Sequence, residues 1–174
     1  MKKFILLALA ALSLNACIPA AFVAGATAGG VIIYDNRDTQ TIVADRNIVT
    51  RINNKLGEDT NLSKQSNLSA TSFNRIVLLV GQVPTATLRD HAVDLVQQVP
   101  NIKRIYNEIT VEPKTSMATR AHDSWITTEV KTELLAEKGL QSSHVKILTE
   151  NSVVYMMGLV TRSQGALAAN ATKR

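Results

Sequence analysis

The chain repeats itself once, and the repeat constrains every possible fold. Asp45-Arg-Asn-Ile-Val-Thr-Arg-Ile-Asn-Asn-Lys-Leu aligns with Asp123-Ser-Trp-Ile-Thr-Thr-Glu-Val-Lys-Thr-Glu-Leu. Ile48 falls on Ile126, Ile52 on Val130, Leu56 on Leu134 and Leu62 on Leu140, each pair 78 residues apart. After a one-residue slip, Asn74-Arg-Ile-Val-Leu-Leu-Val-Gly-Gln-Val pairs with Asn151-Ser-Val-Val-Tyr-Met-Met-Gly-Leu-Val. Gly81 then meets Gly158, and Val83 meets Val160. A single duplication means two copies of one small domain, whereas a solenoid would need further repeats to build a continuous core.

The first copy is the more legible. A helix is expected over residues 46–56, with Ile48, Ile52 and Leu56 on one face at about 100° per residue. Strands at 67–71 and 75–83, around the turn Ser72-Phe-Asn, predict an antiparallel hairpin. Gly81 interrupts the second strand, which predicts a bulge or a close backbone approach. Pro84 is expected to open a second helix, where its missing N–H costs nothing. Leu88, Ala92, Leu95, Val96 and Val99 form that helix's inner face, and Pro100-Asn101 ends it. Residues 103–111 alternate Ile105, Asn107, Ile109 and Val111 as a last strand. The fold class is therefore α+β: an αββαβ unit with two helices on one face of a three-stranded sheet.

Residues 112–122 read as a linker, and the plan restarts at 123. Asp123 or Ser124 is expected to cap a helix over 123–137 by accepting from backbone N–H groups of its first turn. Met156 and Met157 are expected in the core of a strand. Gln97 of the first copy aligns with Arg174, so the counterpart of 98–111 is missing. The expected architecture is two tandem αββαβ sandwiches, the second lacking its last strand, with an open sheet edge and an undercovered core. That shortfall reads as truncation; the alternative is a strand supplied by a partner.

The N-terminus carries a sorting signal. Met1-Lys-Lys is followed by an apolar run over residues 4–14, too short to span a bilayer, as in a signal peptide. Leu14-Asn15-Ala16-Cys17 resembles a bacterial lipobox, in which the Cys receives a diacylglyceryl group and becomes the N-terminus, with an N-acyl chain added. A plain secretory signal is the alternative. It would leave an unpaired thiol in an oxidising compartment, since Cys17 is the only cysteine. Ile18, in place of Asp, matches the sorting pattern for the outer membrane. Residues 18–33, apolar but rich in Gly and Ala, read as a tether, and residues 34–44 as a polar lead-in. The division is thus signal 1–16, lipidated Cys and tether 17–44, first domain 45–111, linker 112–122 and second domain 123–174.

Charge excludes one class of partner. The net charge of +5 includes Lys2 and Lys3 of the signal; without them it is +3, from 17 Lys and Arg against 14 Asp and Glu. That mild bias, without any run of like charges, is no nucleic-acid footprint, yet it is compatible with an anionic membrane surface. His91, His122 and His144 have no metal-ligand spacing, and no other catalytic or metal constellation emerges. No nucleophile elbow or phosphate-cradling loop is present either. Gly81 and Gly158 read as backbone necessities.

Trp125 is the residue that asks for an explanation. It projects away from the stripe of Ile126, Val130 and Leu134, beside Thr128, Thr132, Leu135 and Ala136. An indole near a helix end suits the lipid headgroup level, with its ring buried and its N–H wet. The first copy has Asn47 there, on an outer face of Arg46, Thr50, Asn53 and Asn54. The competing reading folds Trp125 back over its own sheet or onto the first copy. Lys131 adds attraction to an anionic headgroup, but Glu129, Glu133 and Glu137 oppose it.

Val77-Leu-Leu-Val-Gly-Gln-Val-Pro and Tyr106-Asn-Glu-Ile in the first copy resemble the BON-domain family, as do Trp125-Ile-Thr-Thr-Glu-Val, Thr149-Glu-Asn and Met157-Gly-Leu-Val-Thr in the second. The whole chain is similar to dual BON-domain outer-membrane lipoproteins of Gram-negative bacteria, and to osmotically inducible periplasmic BON proteins. The resemblance implies two BON-like sandwiches, no enzymatic activity and no cofactor beyond the lipid on Cys17. It also implies a lipid-anchored location on the periplasmic face of the outer membrane. Anionic phospholipid would bind the first helix of the second domain through Trp125, Thr128, Lys131, Thr132 and Leu135, in support of envelope integrity. The alternative is an adaptor for outer-membrane assembly proteins or for proteins regulating cell-wall amidases.

Overall fold

The computed structural model describes residues 37–173; the signal, Cys17 and most of the tether lie outside them. The first copy runs α1 (Thr39–Glu58), α2 (Thr60–Gln65), β1 (Asn67–Phe73), β2 (Ile76–Val83), α3 (Ala86–Gln97) and β3 (Arg104–Val111). Helix α1 starts seven residues before the expected residue 46, inside the stretch read as a polar lead-in. No Gly or Pro stands between Thr39 and Leu56 to stop the helix, so it propagates past Asp45. Helix α2 is an element the periodicity did not reveal. Asp59 caps it, accepting from Asn61 N and Leu62 N at 3.0 and 2.9 Å, and so drives Leu62 into the core.

Strands β1 and β2 pair antiparallel in unbroken register from Asn67↔Gln82 to Phe73↔Ile76. Their turn is the two-residue Asn74-Arg75, both left-handed at φ 56° and 64°, in place of the expected three-residue turn. Such a turn matches the right-handed twist of the strands it joins, and Asn tolerates it well. Buried Asp45 holds it in place, accepting from Asn74 N at 2.8 Å, Arg75 N at 2.7 Å and Ser72 Oγ at 2.6 Å. Gly81 resolves as a close approach without a bulge: at φ +125°, a Cβ there would overlap the carbonyl oxygen of Asn67. Pro84 lies before α3 and outside it; Thr85 is the cap, its hydroxyl accepting from Leu88 N at 3.2 Å. Strand β3 then returns parallel to β2, giving the order β1-β2-β3. Ile48, Ile52 and Leu56 of α1 pack with Val77, Leu79 and Val83 of β2 and Ala92 and Val96 of α3 to form one aliphatic core.

The second copy runs α4 (Met117–Ala136), a 3₁₀ turn (Ser142–His144), β4 (Val145–Glu150), β5 (Val153–Gly158) and α5 (Arg162–Ala171). Helix α4 takes over half of the expected linker. Its cap is Ser116, whose hydroxyl accepts from Thr119 N at 3.1 Å, so neither Asp123 nor Ser124 plays that part. Asp123 lies mid-helix and buried, accepting from Asn151 N at 2.9 Å and Ser152 N at 2.8 Å. It does in this copy what Asp45 does in the first, gripping a two-residue left-handed turn. Gly158 likewise meets a carbonyl, that of His144.

The second sheet has two strands among the described residues, and no counterpart of β3. Val130, Leu134, Ala168 and Ala171 form its small core. Met156 shares its face of β5 with Val154, yet is 37 % exposed, and Met157 is only half-buried. Both were expected in the core; the cover over β5 is too short to close it. The far face of β2 accounts for the rest of the architecture. Leu78 and Val80 are buried there, outside the helix-covered core, because the second copy is docked against that side. Lys146 of β4 donates to Ser72 O at 3.1 Å, and Gln82 of β2 donates to Glu150 of β4 at 3.0 Å.

Candidate functional site

Helix α4 turns Val130 and Leu134 inward with Asp123, so residues about half a turn away must face solvent. Trp125 stands at the centre of that outer face, 58 % exposed, which excludes the reading that folds it onto either sheet. Thr128, Thr132 and Leu135 lie with it, all exposed. The two threonine hydroxyls are satisfied within the helix: Thr128 Oγ1 donates to Ser124 O at 3.0 Å, and Thr132 Oγ1 donates to Thr128 O at 2.9 Å. With its hydroxyl turned back to the backbone, each threonine offers its methyl group outward. The surface is therefore far less polar than its residue names imply.

The longer helix extends this surface in a direction the sequence reading missed. Met117, 76 % exposed, and Ala118 and Ala121 continue the strip beyond the N-terminal side of Trp125. Six helix-compatible residues between the Ser116 cap and Asp123 were the available signal. His122 was also unforeseen: its ring stacks on the indole at 5.6 Å between centroids and 19° between planes. Exposed Glu129 lies about 40° around the helix from Trp125, at the edge of the strip. Glu129 and Glu133 flank one side of it. Lys131 flanks the other, about 120° around the helix from Trp125, so it does not join the group. It lines a separate polar cleft of about 440 Å³ with Arg120, Asp123 and Glu150.

Burial pushes the carboxyl of Glu150 above the usual glutamate range, opposed by the hydrogen bond from Gln82. Among the described residues, no group of three His, Cys, Asp or Glu side chains is placed to hold a metal ion. No helix among them is long and apolar enough to cross a membrane. The outer face of α1 is more polar, with exposed Arg46, Asn47, Thr50, Asn53 and Asn54 beside exposed Val43.

Residues 44–113 and 122–174 each match the BON domain, which places the duplication within a known family. The chain is 34 % identical to the outer membrane lipoprotein DolP of Haemophilus influenzae, over 98 % of this chain and 88 % of that one. It is 32 % identical to the 21 kDa hemolysin of Actinobacillus pleuropneumoniae, over 80 % of this chain and 72 % of that one. A more distant match, 27 % identical over 67 % of this chain and 58 % of the relative, is the osmotically-inducible protein Y of Escherichia coli. The repeat, the two αββ cores and these similarities converge: the chain is an outer-membrane lipoprotein of the BON-domain family.

Proposed function

We propose that this protein binds anionic phospholipid surfaces through the outer face of α4, without enzymatic activity, and so supports the integrity of the envelope. The observation that carries the reading is exposed Trp125 at the border of an apolar and methyl-bearing strip on the outer face of α4. Trp125 would sit at headgroup depth, with the methyls of Thr128 and Thr132 and the side chain of Leu135 beside it. Lys131 contributes long-range attraction from the flank, against Glu129 and Glu133. One inserted aromatic binds weakly. The lipid on Cys17, at the periplasmic face of the outer membrane, supplies the effective concentration that makes weak contact sufficient.

The test is co-sedimentation of the Cys17→Ser chain, freed of its own anchor, with neutral and anionic vesicles. We expect recovery with anionic vesicles to exceed that with neutral ones, and Trp125→Ala to reduce it about tenfold, the scale of one buried aromatic contact. Equal recovery on both vesicle types, unchanged by Trp125→Ala, would move the function to the adaptor reading, with outer-membrane assembly or cell-wall remodelling proteins as partners.

A further inference from the structure

Glu150 has no part in the face just described, yet it is buried where the two copies meet, 7 % exposed at the end of β4. One of its carboxylate oxygens accepts from Asn67 Nδ2 at 2.9 Å and from Gln82 Nε2 at 3.0 Å. Both donors belong to the first copy, Asn67 at the start of β1 and fully buried Gln82 on β2. Gln82 Oε1 in turn accepts from Thr115 N at 3.3 Å and Thr115 Oγ1 at 3.1 Å, in the connector between the copies. Two strands of one copy, the connector and a strand of the other thus converge on a single carboxyl group. Arg120 and Asp123 of α4 and Tyr155 of β5 are the charged or titratable groups that act on it or feel it, and Lys131 lines the adjoining cleft. Among the described residues, no cation makes an ion pair with it.

We propose that Glu150 is a proton-dependent latch between the two BON copies, closed when its carboxyl is neutral and loosened when it ionises. A protonated carboxyl still accepts from both carboxamides through its carbonyl oxygen, while losing the cost of holding a charge away from water. Burial and the nearby Asp123 charge favour the neutral form; the bonds from Gln82 and Asn67 and the charge of Arg120 favour the ionised one, and burial dominates. Because the folded pKa is raised, the stabilising contribution is complete below the unfolded value of about 4.3 and disappears as pH rises through the folded value. Arg120 and Asp123 flank Glu150, so the latch sits at the root of α4. The proposal stands whether or not α4 touches lipid.

The test is an NMR titration of the full chain from about pH 3 to pH 8, following the side-chain amides of Asn67 and Gln82. We expect both to shift with one common midpoint above the ordinary glutamate range. Glu150→Gln should abolish that shift, and Asn67→Ala should raise the midpoint by removing a bond that favours the charged form. In thermal unfolding, Glu150→Gln should melt about 2–4 °C higher than the parent chain at neutral pH, with the gap closing on acidification. A midpoint at or below the ordinary glutamate value overturns the proposal. So does a Glu150→Gln chain that melts lower than its parent at neutral pH, or separate midpoints for the two amides.

Discussion

Strands β2 and β5 are the same element in two copies of one domain, and burial separates them completely. Every residue of β2 from Val77 to Val83 is buried, whereas none of the residues of β5 is. The reason is not intrinsic to either strand. β2 lies between β1 and β3, with two helices on one face and the second copy on the other. β5 pairs with β4 alone among the described residues, under α4 and a second helix of only ten residues. The local devices are nonetheless the same in both: a buried Asp gripping the hairpin turn, a Thr cap on the following helix (Thr85 on α3, Thr161 on α5) and a Gly at a carbonyl. Local chemistry builds the hairpin, and its surroundings determine how much of it becomes core.

That separation predicts unequal costs for equal substitutions. The largest effect should come from Gly81→Ala. It adds a Cβ that overlaps the Asn67 carbonyl, at a positive φ that side chains rarely adopt and in a strand with no room to move. We expect a loss of about 4 kcal/mol. Gly158→Ala also meets a carbonyl, but in an exposed strand that can shift, so about half that loss is expected. Urea denaturation of the two variants in parallel measures the difference, to which the positive φ and closer overlap at Gly81 add, and a smaller loss at Gly81 would reverse the comparison.

Asp45→Ala comes next. It removes the acceptor of two backbone N–H groups and a hydroxyl, and one bond of Arg37, whose guanidinium bonds Asp45 at 2.5 Å and lies over the Phe73 ring. About 3 kcal/mol should be lost, since hydrogen bonds to charged groups contribute about 1.5–3 kcal/mol each and the two freed backbone N–H groups, of half-buried Asn74 and Arg75, can turn to water. Asp123→Ala frees two N–H groups beside solvent, so about 2 kcal/mol is expected. The same denaturation experiment compares them, and a larger loss for Asp123→Ala would reverse the order.

These aspartates also show where sequence reading stops. The alignment of Asp45 with Asp123 was visible, as were the duplication, the apolar stripes and the α+β order. Their role was not, because an Asp before an apolar run is a cap by pattern, and only the third dimension brings a turn 28–30 residues away to its carboxylate. Both helices also extend further back than the expected starts at 46 and 123. The outward direction of Trp125 followed from helical period alone. Its stacking on His122 and the inward-turned hydroxyls of Thr128 and Thr132 did not, since rotamers leave no trace in spacing.

The smallest expected effect on stability tests the comparison most sharply. Position 125 is Trp in one copy, and the matching position 47 is Asn, both exposed on the first helix of their domain. Trp125→Asn therefore makes the second copy resemble the first where burial plays no part. The indole is 58 % exposed and stacks on exposed His122, so stability should change by no more than about 0.5 kcal/mol. If the outer face of α4 is the lipid contact, the same substitution should remove most of the binding to anionic vesicles. The reciprocal Asn47→Trp should add little, because Arg46, Asn53 and Asn54 keep the α1 face polar. A Trp that restored binding from α1 would show that any exposed indole on this scaffold suffices, and would deny α4 its special place.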